Sequence, residues 1–272
     1  MKKLGHLLAW FLGLIWVLPF VGLFVASIRP GDQLNHGWWN LENFSLTMEN
    51  YYRVLVTSSI PMLRPLLNSA YISFLGTATP IVIGSLAAYA FARKYIPGKR
   101  IILMVLLSLM AIPLQMVAIP MFQIINKLNL LDTYWSLTIL NTATGIPWIV
   151  FFLSNFIKGQ PLEVEEAAQI DGCSSLAIFT RIVLPQTKPA FISVFVLQFV
   201  WCWLDFFLPL LFIYSPDKYT AVQVIPMLRG QFVTNWGLLS AASILVTAVP
   251  LLIFLFLQKY YIASSVGWVP EK

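Results

Sequence analysis

The chain reads as an all-α polytopic membrane protein with six transmembrane helices, and three observations predict it. Of its 272 residues, 59% are hydrophobic and 10% charged, where a soluble domain carries about 25% charged residues. Mean hydropathy is +0.80. Six apolar stretches of 22 to 27 residues follow one another, at 7–28, 66–92, 101–125, 133–157, 189–215 and 236–258. A helix crosses the hydrocarbon with about 20 apolar residues, and lipid leaves no partner for an unpaired backbone group, which favours helices over open strands.

The first stretch follows Lys2 and Lys3 and ends on Ala26 and Ser27, as a secretory signal would. Its apolar run exceeds the roughly 7–15 residues of a signal core, so we expect a retained helix. The segment 29–65 is hydrophilic and too short to build a core of its own. In the second stretch Gly84, Ala88 and Ala92 form a row of small residues, repeated by Gly237 and Ala241 in the sixth. Such rows let helices approach closely, within the chain or against a partner. Pro80, Pro113, Pro120, Pro147, Pro209 and Pro250 interrupt the stretches. Each proline frees a carbonyl, so these helices should bend and pack against protein or a wet cavity.

Counting Lys and Arg on alternating sides puts 11 on the side of the N-terminus and 6 on the other. Arg93-Lys94 and Lys99-Arg100 crowd one short turn, where the positive-inside bias is strongest. Both termini are therefore expected in the cytoplasm. The net charge of +6 follows from these flanks against membrane lipid and calls for no nucleic acid. Cys173 and Cys202 are expected as free thiols, and His6 and His36 give no metal site. A nucleotide-binding loop needs a second glycine followed by Lys and then Ser or Thr. Here Gly98-Lys99 is followed by Arg100, and position 93 is arginine. The chain is expected to bind no cofactor and not to be an enzyme.

The hydrophilic loop 158–188 is more than a connector. Pro161 suits a helix start, and Glu163, Glu165 and Glu166 crowd the first turns, where the helix dipole favours acids. Ala167 and Ala168 are strong helix formers. Gly172 suits a left-handed cap. Ser174 or Ser175 can cap a second helix, and Pro185 stops it. Glu166 and Asp171 as a hydrolytic acid pair is a weak reading, since nothing around them forms a cleft. An interfacial helix would carry Lys and Arg on its polar face. This one is acidic and would be repelled by an anionic leaflet, which favours docking on a protein.

Glu166-Ala167-Ala168, then Gly172 after three residues, then Ile182, Leu184 and Pro185 after nine more, resembles the EAA motif of ABC importer permeases. Thr47 to Tyr52, Ala87 to Arg93, Pro97-Gly98-Lys99, Leu130 to Thr133 and Pro250 to Lys259 are similar to the carbohydrate-uptake branch, in particular its maltose-type second permease. The residues after Ala263 depart from that branch's glycine-rich basic tail. The resemblance implies a single type I permease domain over 1–272 in a bacterial inner membrane. It also implies a second homologous permease, a dimer of ABC ATPases that carry the ATP and Mg2+, and an extracytoplasmic substrate-binding protein. The loop 158–188 would be the coupling helix region, with Glu163, Glu165, Glu166, Ala167, Ala168, Asp171, Gly172, Ile182, Leu184 and Pro185 meeting the ATPase. The cargo would be a sugar, oligosaccharide or polyol.

For the path we single out Gln198, Trp201, Trp203, Asp205, Gln115 and Asn141, polar or aromatic groups within the stretches. Asp205 is the sole acid inside one, and an intramembrane carboxylate is a candidate functional group. It either lines the path or is a capped or protonated residue holding the backbone freed by Pro209. The other polar groups serve as readily as glue between helices. A glycerol phosphate permease would want basic groups inside the membrane, and no stretch contains one. An ATP-independent carrier would show inverted repeats, and none is evident.

Overall fold

The structure is a computed structural model and describes residues 2–40, 44–230 and 234–265. The described elements are helical. In chain order they are α1 (Lys2–Ser27), α2 (Glu49–Tyr52), α3 (Leu63–Arg93), α4 (Lys99–Met110), α5 (Ala118–Lys127), α6 (Tyr134–Lys158), α7 (Glu163–Ile170), α8 (Ser175–Ile178), α9 (Leu184–Gln186), α10 (Lys188–Leu204), α11 (Phe207–Phe212), α12 (Ala221–Met227) and α13 (Trp236–Ser265). Residues 266–272, which hold most of the departing tail, lie outside the described residues.

Four helices are long and apolar enough to cross a membrane unbroken: Gly5–Ser27, Leu63–Arg93, Tyr134–Lys158 and Trp236–Gln258. The third expected stretch, 101–125, is not one straight helix. It is α4, a 3-10 turn at Leu114–Val117 and α5, with the two halves bent by 94°. Pro113 cannot donate to the turn before it, so α4 ends at Met110. Pro120 falls in the first turn of α5, where an N–H would have no helical partner. The fifth stretch, 189–215, also divides. α10 covers 17 residues, about 26 Å of rise, and stops at Asp205 before the short α11. Pro19, Pro80, Pro147 and Pro250 by contrast lie inside continuous helices.

The chain forms two compact units, 1–68 with 216–249, and 69–215 with 250–272. In the first, α1 keeps most of its apolar side chains exposed, Trp10 and Trp16 among them, as a lipid-facing helix does. Its polar centre is Arg29, which is fully buried. Arg29 donates to the carbonyls of Trp38 at 3.0 Å and Asn40 at 2.7 Å, and its guanidinium lies 4.9 Å from the Phe44 ring centroid. The Asn50 side chain donates to the carbonyls of Ser27 and Arg29. A Cβ on Gly237 would stand 2.7 Å from the Asn50 amide, so the second small row packs within the chain, with Ala241 fully buried behind it.

The second unit is built on a core that joins Ala88 and Tyr89 of α3, Ile149, Leu153 and Ile157 of α6, Ile178, Phe179 and Val183 of the loop, and Ala190 and Val194 of α10. A Cβ on Gly84 would stand 2.8 Å from Ile149, so this small row also serves packing inside the chain. The three loop residues belong to the run Ser175–Gln186, which together with Lys188–Leu204 is long and apolar enough to be one membrane segment bent by 81°, and close packing against α3 and α6 holds them.

Candidate functional site

The loop between α6 and α10 is a helix, a sharp turn and a second helical run. α7 ends in a Schellman motif: Cys173 N–H donates to Ala168 O at 3.0 Å and Gly172 N–H to Gln169 O at 3.1 Å. Gly172 has φ +80°, in the left-handed region that favours glycine. Ser174 then caps α8, its hydroxyl oxygen accepting from Ala177 N–H. The run continues as a π-turn over Phe179–Val183 into α9.

The structure sorts the expected coupling residues into two sets. Glu163, Glu166, Ala167, Asp171, Gly172, Leu184 and Pro185 are exposed. Around them Val164, Ile170 and Leu176 also face out, Ile170 with 87% of its surface free. An acidic face studded with exposed apolar groups suits a protein partner. The other set turns inward. Glu165 is buried and pairs with Arg93 of α3 at 2.8 Å, while Ala168 and Ile182 pack against the core. Val183, which the motif leaves unspecified, is more deeply buried than its fixed neighbours.

The polar groups of the spans gather around a second feature. A cavity of about 480 Å3 opens between the α4–α5 break, α6 and α10. Asn141, Thr144 and Trp148 of α6 and Gln198 and Trp201 of α10 line it, with apolar residues around Pro113. Among the described lining residues none is charged. Gln198 is held on both ends of its amide. Its oxygen accepts from Trp148 Nε1 at 2.8 Å, and its nitrogen donates to Gly76 O at 3.1 Å. Gly76 is four residues before Pro80, so its carbonyl is one that the proline deprives of a helical donor. Cys202 Sγ shares it at 3.5 Å.

The remaining expected path residues scatter. Trp201 is 65% exposed and stands between this cavity and a broad depression of about 790 Å3 that Asp205 also lines. Trp203 is buried, stacked 5.8 Å from Phe199, and lines neither cavity. Gln115 lies exposed on the 3-10 turn and is not among the cavity's lining residues, although its neighbours Leu114 and Val117 are. Asp205 is a cap: its Oδ1 accepts from Phe207 N–H at 2.9 Å and Leu208 N–H at 3.3 Å. Pro209 sits in the first turn of α11, so it frees no carbonyl there, and the expected link to Pro209 is replaced by capping.

With this geometry in place, comparison with known proteins is direct. Residues 80–265 match the model of the family described as binding-protein-dependent transport system inner membrane component. The chain belongs to this family of ABC importer permeases. It is 44% identical over 267 residues to a probable ABC transporter permease of Pyrococcus horikoshii, covering 98% of this chain and 97% of the relative. An osmoprotective compounds uptake permease of Synechocystis is 35% identical over 264 residues, 94% of this chain and 88% of the relative. An arabinooligosaccharides transport system permease of Halalkalibacterium halodurans is 30% identical over 279 residues, 98% and 99% of the two chains. Among solved structures, a bacterial ABC transporter involved in import of the acidic polysaccharide alginate has a chain that superposes with TM-score 0.82. It shares 20% identity and covers 96% of this chain and 97% of that one.

In this permease the sequence alone missed several residues. Arg93 entered as a charge flanking a span and as the end of the family-like stretch Ala87 to Arg93, with no partner foreseen. Asp132 has φ +56°, and its carboxylate accepts from the backbone of Tyr214 and Ser215 at 3.1 and 3.0 Å and from the Ser215 hydroxyl. It ties the turn before α6 to the segment after α11, and a lone Asp in a Leu-Leu-Asp-Thr turn gave no hint of so distant a partner. Gly145 was missed as well: a Cβ there would stand 2.9 Å from the Gln198 amide and 3.0 Å from Pro80.

Proposed function

We propose that this inner-membrane permease subunit carries a neutral sugar, oligosaccharide or polyol, forming the path together with a second, homologous permease. The observation that carries the reading is the chemistry of the cavity: amide, hydroxyl and indole groups on an apolar wall, with no charge among its described lining residues. Amides pair with sugar hydroxyls, and indole faces suit the C–H faces of a pyranose. Trp201, exposed at the cavity edge, offers such a face. A phosphorylated cargo would need cationic groups the cavity lacks. The relative named for arabinooligosaccharides supports the same class. The relative named for osmoprotective compounds supports its smaller members.

Transport is driven by ATP bound with Mg2+ on a dimer of separate ATPase subunits. The exposed face of α7, with Glu163, Glu166 and Asp171 around Val164 and Ile170, is the surface they grip. A substrate-binding protein delivers cargo at the opposite side of the membrane. ATP binding favours one of two permease states through differential affinity, and that difference does the work of switching. The test is purification through a tag on this chain, followed by reconstitution. An ATPase and a second permease should copurify, and vesicles supplied with binding protein and internal ATP should accumulate neutral oligosaccharide. Accumulation of sugar phosphate in preference to neutral sugar would overturn the cargo assignment.

A further inference from the structure

We propose that Arg93 is a positioning residue that couples the loop 158–188 to α3, so that a pull on α7 is delivered to a helix with which the loop shares no chain connection. The inference rests on the coupling role proposed for α7. The loop is covalently continuous with α6 and α10 alone. The described contacts add a third attachment, and all of it is at the end of α3. Arg93 donates from Nε to Glu165 Oε1 at 2.8 Å, its Nη2 forms an ion pair with the same oxygen at 2.8 Å, and Nη2 donates to Gln160 O at 3.1 Å. The next residue, Lys94, donates to Ser175 Oγ at 2.9 Å. One turn earlier the Tyr89 ring centroid lies 5.4 Å from that of Phe179, and the Tyr89 hydroxyl contacts Glu165. α7 is thus held through Glu165, α8 through Ser175 and the following π-turn through Phe179.

The burial of the pair is the telling fact. The side chains of Arg93 and Glu165 are 10% and 6% exposed. A glutamate that only attracted the ATPase would stay in water, as Glu163 and Glu166 do. A buried ion pair adds little net stability, because desolvation offsets the attraction, but separating its partners is strongly unfavourable. It therefore fixes one register of α7 on α3 and makes the two move together. Further along α3 lie Gly76, whose carbonyl receives Gln198, and Pro80, which faces Gly145. Gln198 and Gly145, the partners of these two residues, line the polar cavity. α3 thereby links the gripped surface to the lining of the path by an unbroken helix.

The test uses the assembled complex in vesicles and reads cargo accumulated per ATP hydrolysed, with subunit stoichiometry checked by copurification. Arg93→Gln and Glu165→Gln should each lower that ratio by about tenfold, within the range of coupling between linked sites. The exchanged variant, Arg93→Glu with Glu165→Arg, should recover most of it. A structural role alone would lower assembly and both activities in proportion, leaving the ratio unmoved. An unchanged ratio in the single variants, or an exchanged variant no better than they are, overturns the proposal. So does failure of Glu165→Gln to assemble, which would assign the pair to folding alone. The unsubstituted complex is run in parallel: ATP-driven uptake there upholds the permease reading whatever the variants do.

Discussion

Glu165 and Glu166 are adjacent in one motif and have opposite surroundings: Glu166 faces out, while Glu165 is buried against Arg93. Helical spacing turns neighbours about 100° apart, so a motif read as a string joins residues with different tasks. Glu166→Lys should therefore uncouple ATP hydrolysis from uptake without loss of protein from the membrane, since it inverts an exposed docking charge. Gly172→Val should uncouple for another reason. It has room around it, but a residue with a Cβ at φ +80° pays about 1–2 kcal/mol in strain, enough to shift the turn between α7 and α8. Both are checked by paired uptake and ATPase assays at equal membrane levels. At Gln198 the prediction concerns stability. Gln198→Leu leaves the half-buried Trp148 N–H without its partner and the Gly76 carbonyl with only a thiol, at about 1–3 kcal/mol per orphaned group. Thermal unfolding of the purified complex should come at a lower temperature.

At the scale of elements, prolines decided less than their number promised. Pro113 breaks a helix, yet Pro80 does not, because Gln198 and Cys202 supply donors to the carbonyl that Pro80 deprives. A one-dimensional reading marks where a donor is missing and cannot say whether a neighbouring helix provides it. Asp205 teaches the same lesson. It is the N-terminal cap of α11, with two backbone donors on one oxygen. Asp205→Asn keeps a carbonyl oxygen in that place and should retain most uptake. Asp205→Ala removes the cap, costs about 1 kcal/mol and should reduce uptake in the assembled complex. Equal loss in both variants would show that the charge itself matters.

For the whole molecule, the all-helical membrane architecture and the order of its apolar stretches were legible because lipid imposes its rules on composition, through length and apolarity. The four continuous spans fall where apolar stretches lie, while the 94° bend in 101–125 and the stop of α10 at Asp205 were not legible from the apolar stretches alone. The helix–glycine–helix form of the loop 158–188 was legible because a turn at positive φ and an acidic first turn leave fixed residues at fixed offsets. The cavity was not. Asn141 and Gln198 meet there from α6 and α10, 57 positions apart, and Trp203, which looked equivalent to Trp201, is turned into the core. A prediction at this scale is simple: vesicles containing this polypeptide alone should show no ATP-dependent accumulation, measured against vesicles holding the complete complex.

What the sequence determined by itself is what local and solvent physics can write into a string: apolar length, charge asymmetry, helix caps and the glycine turn. What only the tertiary structure decided is the assignment of each polar group to a partner, since a side chain amide or carboxylate commits to whichever donor or acceptor packing places within about 3 Å. Arg93 finding Glu165 and Gln198 finding the carbonyl before Pro80 depend on how helices distant in the chain lie against one another, and no local rule encodes that.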